Sequence, residues 1–202
     1  MKDAMKLSAS IRVKDTSIKD KHILLATKNI NLPSTLANKS IYLGDSILKG
    51  ELEKFSLTGL IENSTNKDLS IRDILIPESM SYIDEGDILR IDLQRKTIKS
   101  LYRKKSLHNS FLITERCNSH CLMCSQPPKL ANDDFLADDI IEAIPLINRD
   151  AEFIGITGGE PTLLKDKFLK ILSLISSYLP KTQLDVLTNG RNFKDFALAR
   201  DV

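Results

Sequence analysis

A chain of 202 residues with 42% apolar side chains has the material for one or two packed domains, which excludes an extended disordered tail. Its 29 basic and 27 acidic residues leave a net charge of +2, so no whole-chain field directs it to nucleic acid or an anionic membrane. Met1–Ser10 lacks the apolar core of a secretion signal, and no stretch approaches the ~20 apolar residues of a bilayer span, which predicts a cytoplasmic protein with no membrane partner.

Residues 1–109 are predicted to form a small β-rich N-terminal domain, to which no role is assigned. Short apolar runs at Ile41–Leu43, Leu57–Ile61 and Ile88–Leu93 are separated by turn formers at Gly44-Asp45, Asn63–Asn66 and Gly86-Asp87. Ile88–Leu93, a polar break at Gln94–Lys96 and the returning Thr97–Tyr102 have the pattern of a hairpin. Arg90–Lys105 carries seven basic side chains against Asp92 alone. Alternate strand positions must face solvent, so the run is read as a solvated face and given no partner.

Residues 110–202 follow a different rhythm. A short apolar strand, Phe111–Ile113, enters a cysteine-bearing loop, after which Asn132 is placed to cap a helix whose stripe is Leu136, Ile140 and Ile144. Asp133 and Asp134 suit the positive end of its dipole, and Pro145 bends or ends it. Phe153–Ile156 reads as a second strand. Thr162 is the expected cap of a second helix bearing Leu164, Phe168, Ile171, Leu172 and Ile175, which Pro180 stops. Leu184–Leu187 is a third strand, and a third helix begins near Asn192. Alternating short apolar strands and amphipathic helices predict parallel α/β units with right-handed crossovers.

All three cysteines fall within Cys117–Cys124, an odd number set too close together to staple a fold, so they read as metal ligands. Cys117-Asn-Ser-His-Cys121-Leu-Met-Cys124 is CxxxCxxC on a loop directly after a strand. A cubane iron–sulfur cluster normally takes four thiolates, and three would leave one iron open to a substrate. The alternative is structural zinc with His120 as fourth ligand, which would make the chain a peptide- or RNA-binding module without catalysis. His22 and His108 read as ordinary surface or hydrogen-bonded residues.

The CxxxCxxC loop after a first strand resembles the signature of the radical S-adenosylmethionine (SAM) superfamily. Thr157-Gly158-Gly159-Glu160-Pro161, after the second strand, resembles that family's GGEP motif, and Thr188-Asn189-Gly190, after the third, resembles a frequent variant at the rim of the same cavity. Adjacent glycines let backbone approach a ligand closely, and a glutamate beside them offers charge to an ammonium group. Ligands of parallel α/β folds gather at the carboxyl ends of the strands, where all three motifs lie. The resemblance implies an α/β fold: a partial radical SAM barrel, about three of six units, behind the β-rich domain. It implies a 4Fe-4S cluster on Cys117, Cys121 and Cys124, and SAM held by Gly158, Gly159 and Glu160 at its amino group. Asn189 would stand at the rim and Met123 against the adenine; filling a gap in the core is the other reading of Met123. No catalytic side chain is assigned.

Tyr102–Lys129, with Asp84–Asp92 before it, is similar to the radical SAM maturases of the His-Xaa-Ser peptide system. That similarity implies a ribosomally made peptide substrate, a second radical SAM maturase as partner, and an electron donor of flavodoxin or ferredoxin type; the near-neutral charge gives no reason to expect nucleic acid. Since about half the barrel is expected beyond Val202, the chain is expected to be incomplete and poor at turning over SAM alone.

Overall fold

The computed structural model describes residues 6–14, 20–44, 51–61, 72–125 and 127–202. The predicted turn at Asn63–Asn66 and the Asp45 half of Gly44-Asp45 lie outside them. The chain divides into two units, Met1–Lys104 and Lys105–Val202, each with its own sheet.

The first unit is built from β1 (Ser8–Ser10), β2 (Arg12–Val13), β3 (Lys21–Thr27), a short helix α1 (Ser34–Ala37), β4 (Ser40–Leu43), β5 (Leu57–Ile61), β6 (Asp73–Ile76), β7 (Ile88–Asp92) and β8 (Thr97–Tyr102). The hairpin expected from sequence is present: β7 and β8 pair antiparallel, and Lys96 takes the left-handed conformation at the turn, φ 52°. The basic run lies along it, with Arg90 and Arg95 paired to Asp92 at 3.7 and 3.9 Å.

Sequence periodicity did not reveal the rest of this sheet. β3, β4, β5 and β6 run parallel, each bonded to the next, and the strand order is β1-β8-β7-β3-β4-β5-β6-β2. The first and last strands of that order are consecutive in sequence. One ribbon, Ser8–Val13, therefore pairs with β8 through β1 and with β6 through β2, which nearly closes the sheet into a barrel. Ile11, at the change of partner, donates its N–H to the Lys96 carbonyl at 2.9 Å and buries its side chain among Leu24, Ile41, Ile74, Leu89 and Ile98.

The second unit alternates β9 (Asn109–Thr114), α2 (Phe135–Ala143), β10 (Phe153–Gly158), α3 (Asp166–Tyr178), β11 (Gln183–Val186) and α4 (Phe196–Asp201). β10 lies between β9 and β11 and is parallel to both. These are three successive βα units, the α/β partial barrel that the sequence implied. Ile113, Ile154 and Ile156 of the sheet and Ile140, Phe168, Ile171 and Ile175 of the helices are buried; a large apolar side chain removed from water in such a core contributes about 1.5–3 kcal/mol.

Two caps differ from expectation. Asn132 accepts from the Asp134 N–H at 3.2 Å, a turn ahead of α2 and not a cap upon it. Thr162 does not begin α3: Glu160 caps a 3-10 turn, Pro161–Leu164, and α3 starts after Lys165, whose φ is 41°. Pro145 enters a 3-10 turn that ends α2, and α3 stops at Tyr178, two residues before Pro180. Among the described residues β11 has one neighbouring strand, and α4 has no buried residue. Among the described residues, no helix is long and apolar enough to cross a membrane.

Candidate functional site

The carboxyl ends of β9, β10 and β11 carry the three motif loops. The cysteine loop leaves β9 through Thr114, Glu115 and Arg116, and a single side chain, Asp133, fixes that exit. Asp133 is only 5% exposed; it accepts from the Thr114 hydroxyl at 3.0 Å and from the Glu115 N–H, and pairs with Arg116 Nε at 2.9 Å. Arg116 also binds Asp134, which Lys167 of α3 approaches at 3.5 Å while holding Asp138 at 2.8 Å. The hydrogen bond to Asp138 is the main reason the Lys167 ammonium is held above its ordinary pKa. The loop is tied off at its base by the Lys129 N–H to the Glu115 carbonyl, 3.0 Å, and by their side chains at 2.6 Å.

The glycines of the β10 loop make room for this same chain. A Cβ on Gly158 would stand 2.3 Å from the Thr114 carbonyl oxygen; one on Gly159 would stand 2.2 Å from that of Arg116 and 3.0 Å from the Cys117 Cβ. Without side chains there, Gly159 N–H bonds to Thr114 O at 2.9 Å and Glu160 N–H to Arg116 O at 2.8 Å. The root of the cysteine loop is thus stitched to the β10 loop.

Glu160 joins the third loop to these two. Its carboxylate, with no exposed surface, accepts from the Thr162 N–H (3.1 Å) and hydroxyl, from the Thr188 hydroxyl (2.7 Å) and from the Asn189 N–H (2.7 Å). Burial pushes the Glu160 pKa up, but the donors from Thr162, Asn189 and Thr188 outweigh it and hold the group below the ordinary glutamate range. From the same turn, Asn189 reaches Asn118 at 2.8 Å, Ser119 at 3.3 Å and the Cys117 sulfur at 3.8 Å. Arg191 bonds the Asn118 carbonyl at 3.2 Å, and Asn192 links Asn118 to Thr162 at 3.2 and 3.0 Å.

The sequence-predicted residues are distributed as follows. Gly158, Gly159, Glu160, Asn189 and Cys117 belong to one bonded cluster. Cys117 is half-buried; Cys121 and Cys124 are exposed on a turn closed by the Cys124 N–H to the Cys121 carbonyl at 3.1 Å. None of the three is in a disulfide, yet among the described residues no three His, Cys, Asp or Glu side chains are gathered as a metal site, whether or not His120 is counted. Met123 is 96% exposed, so it fills no gap in the core.

The donor set is of a kind that an iron–sulfur cluster takes. It offers three soft thiols, none in a disulfide, on one loop whose root is held by Asp133, Gly159 and Asn189. Sequence reasoning missed Asp133, Arg116, Asn118, Arg191 and Asn192. The available signal was their placement: Arg116 and Asn118 flank Cys117, while Arg191 and Asn192 directly follow Asn189-Gly190.

Comparison with known proteins falls on this unit. Residues 111–200 match the radical SAM superfamily. Proteins of that family use a 4Fe-4S cluster and SAM. Among curated relatives, the GTP 3',8-cyclase of Campylobacter jejuni subsp. doylei is 37% identical over 92 residues, covering 42% of this chain and 28% of the relative. The enzyme of the same name from Cronobacter sakazakii is 31% identical over 107 residues, covering 50% and 31%. That of Haemophilus influenzae is 37% identical over 97, covering 45% and 26%. The chain thus spans less than a third of the length of these relatives. No solved structure matches it.

Proposed function

We propose that residues 110–202 are the N-terminal half of a radical SAM core and that residues 1–109 form a separate domain in front of it. In this reading Cys117, Cys121 and Cys124 hold a 4Fe-4S cluster. Gly158 and Gly159 lie in the loop that takes the amino end of SAM. The Glu160 carboxylate, buried under four protein donors, shapes that loop and does not face the ligand, contrary to the expectation from sequence. Asn189 stands at the rim, and Met123 lies on the side of the adenine. When bound, such a cluster supplies one open iron and the electron that divides SAM into methionine and a 5′-deoxyadenosyl radical.

The observation that carries the reading is the bonding of three motif loops into one rim at the carboxyl ends of adjacent parallel strands. Ligands of α/β folds bind at such a rim. The chain's own residues prepare it: Asp133 fixes the exit of the cysteine loop, Gly159 lets that loop press on β10, and Glu160 holds the β11 turn against both.

The resemblance of Tyr102–Lys129 supports a ribosomally made His-Xaa-Ser peptide as substrate, modified by hydrogen abstraction. A second radical SAM maturase would then be a partner, and a flavodoxin or ferredoxin the electron donor. A second reading is favoured by the relatives, whose name says that they act on GTP: a purine nucleotide as substrate. Zinc on the cysteines, with a binding role and no catalysis, is the reading to be excluded.

Anaerobic reconstitution with iron and sulfide, followed by optical and spin-resonance spectra, tests the metal. A colourless, spin-silent chain that retains zinc overturns the proposal. The reconstituted chain is then given SAM and a strong reductant, with a His-Xaa-Ser peptide in one arm and GTP in another. Formation of 5′-deoxyadenosine that depends on one of them identifies the substrate class.

A further inference from the structure

Asn189 lies in the β11 turn, and the orientation of its amide is determined by that turn. Its Oδ1 accepts from the Arg191 N–H at 3.0 Å, and a backbone N–H can only donate, so the atom facing it must be oxygen. The Nδ2 hydrogens therefore point at the cysteine loop. One meets the Asn118 Oδ1 at 2.8 Å, leaving the other for the Ser119 hydroxyl at 3.3 Å and the Cys117 sulfur at 3.8 Å. The turn cannot drift, because the Asn189 N–H is anchored on the buried Glu160 carboxylate and Gly190 takes the left-handed conformation, φ 73°, that the turn requires. Arg191 of the same turn also holds these two loop residues, through the Asn118 carbonyl and the Ser119 hydroxyl, each at 3.2 Å.

We propose that Asn189 is a positioning residue for Cys117, donating an N–H to its sulfur and thereby raising the reduction potential of the metal centre built on that sulfur. The inference rests on the cluster reading above. A thiolate is a stronger acceptor than a thiol, so the contact strengthens once Cys117 binds metal. Hydrogen bonds to cluster sulfurs withdraw electron density and favour the reduced state, which is one way a protein sets the potential. The same amide steadies Asn118 and Ser119, so the effect has a structural trace that is present without metal.

Two variants of the full chain separate donor loss from charge. Asn189→Asp keeps the acceptor for the Arg191 N–H and loses the N–H donors; Asn189→Leu loses them without adding charge. Redox titration of reconstituted protein, followed by spin resonance, should place both midpoints below that of the wild type, with the aspartate variant lowest. In the metal-free chain, the Asn118 and Ser119 amides should exchange about 5-fold faster in either variant, the factor one net hydrogen bond represents. Circular dichroism checks that both variants fold, and Asn118→Ala, which leaves Asn189 intact, should loosen the loop without lowering the midpoint as Asn189→Asp does. A wild type that forms no iron–sulfur spectrum overturns the cluster reading and the tuning with it. A normal wild-type cluster whose midpoint is unchanged in both Asn189 variants, or unchanged exchange at Asn118 and Ser119, overturns this inference alone.

Discussion

Replacing Glu160 by glutamine is predicted to destabilise the second unit by ~2–4 kcal/mol at neutral pH, and the figure follows from its four donors. Two are hydroxyls, of Thr162 and Thr188, which can rotate to accept from an amide NH2. The other two are backbone N–H groups, of Thr162 on Oε1 and Asn189 on Oε2, and these cannot turn away. An amide offers one oxygen, so one of them faces an NH2. A buried donor left unsatisfied costs about 1–3 kcal/mol, and the bonds that remain lose their charge-assisted strength. The pH dependence has a definite sign. Because the folded-state pKa of Glu160 is lowered, its stabilisation is complete above the ordinary glutamate value and is lost as pH falls through the depressed one. Urea unfolding of wild type and Glu160→Gln, followed by far-UV circular dichroism, should show the gap at pH 7 and show it shrinking once the pH passes below the ordinary glutamate range. Equal midpoints at pH 7, or a gap that persists unchanged into strong acid, would refute the clamp.

The other predictions concern the loops around that carboxylate. Alanine at Cys117, Cys121 or Cys124 should each abolish cluster assembly, measured as iron and labile sulfide per chain, whereas His120→Ala should leave iron content near wild type. Gly159→Ala should cost ~1–3 kcal/mol in urea unfolding, since its Cβ would meet the Arg116 carbonyl at 2.2 Å; stability like that of the wild type would mean that the root of the cysteine loop can yield there. Asp133→Ala should cost ~1–3 kcal/mol, as the buried Thr114 hydroxyl and the Glu115 N–H lose their acceptor while the partly exposed Arg116 keeps Asp134, with amide exchange rising at Glu115 and Arg116.

The parts of this chain legible in sequence are those decided locally. β9, β10 and β11 follow from short apolar runs, the ends of α2 and α3 from Pro145 and Pro180, and the hairpin β7–β8 from its polar break. The CxxxCxxC loop was legible because its three cysteines stand at a fixed short spacing directly after a strand. What escaped was decided at long range. Thr162 has the composition of a helix cap, but its hydroxyl is taken by Glu160, so the first turn of α3 forms after Lys165 instead. Asp133 and Asp134 look like dipole charges until Arg116, 18 residues back along the chain from Asp134, claims both. The pairing of β1 with β8 and β2 with β6 joins segments remote in sequence, and no periodicity within either segment records it. Gly158 and Gly159 suit the close approach of a ligand, yet the backbone they accommodate is the chain's own, the end of β9 at Thr114 and the root of the cysteine loop at Arg116.

The ribbon Ser8–Val13 has a further consequence for how the first unit comes together. Until it docks, β6 and β8 both present open ladders of N–H and C=O groups, and such rims recruit strands from other molecules. The ribbon occupies both rims from one short stretch, with Ile11 as the plug between them. Its contacts span most of the unit in sequence, so docking it carries a large loop-closure cost. A chain whose ribbon is undocked would expose both rims at once, and with them the risk of self-association. Substitutions that weaken the ribbon, such as Ile11 to a polar residue, would act first on solubility during synthesis, and only afterwards on the measured stability of the finished barrel.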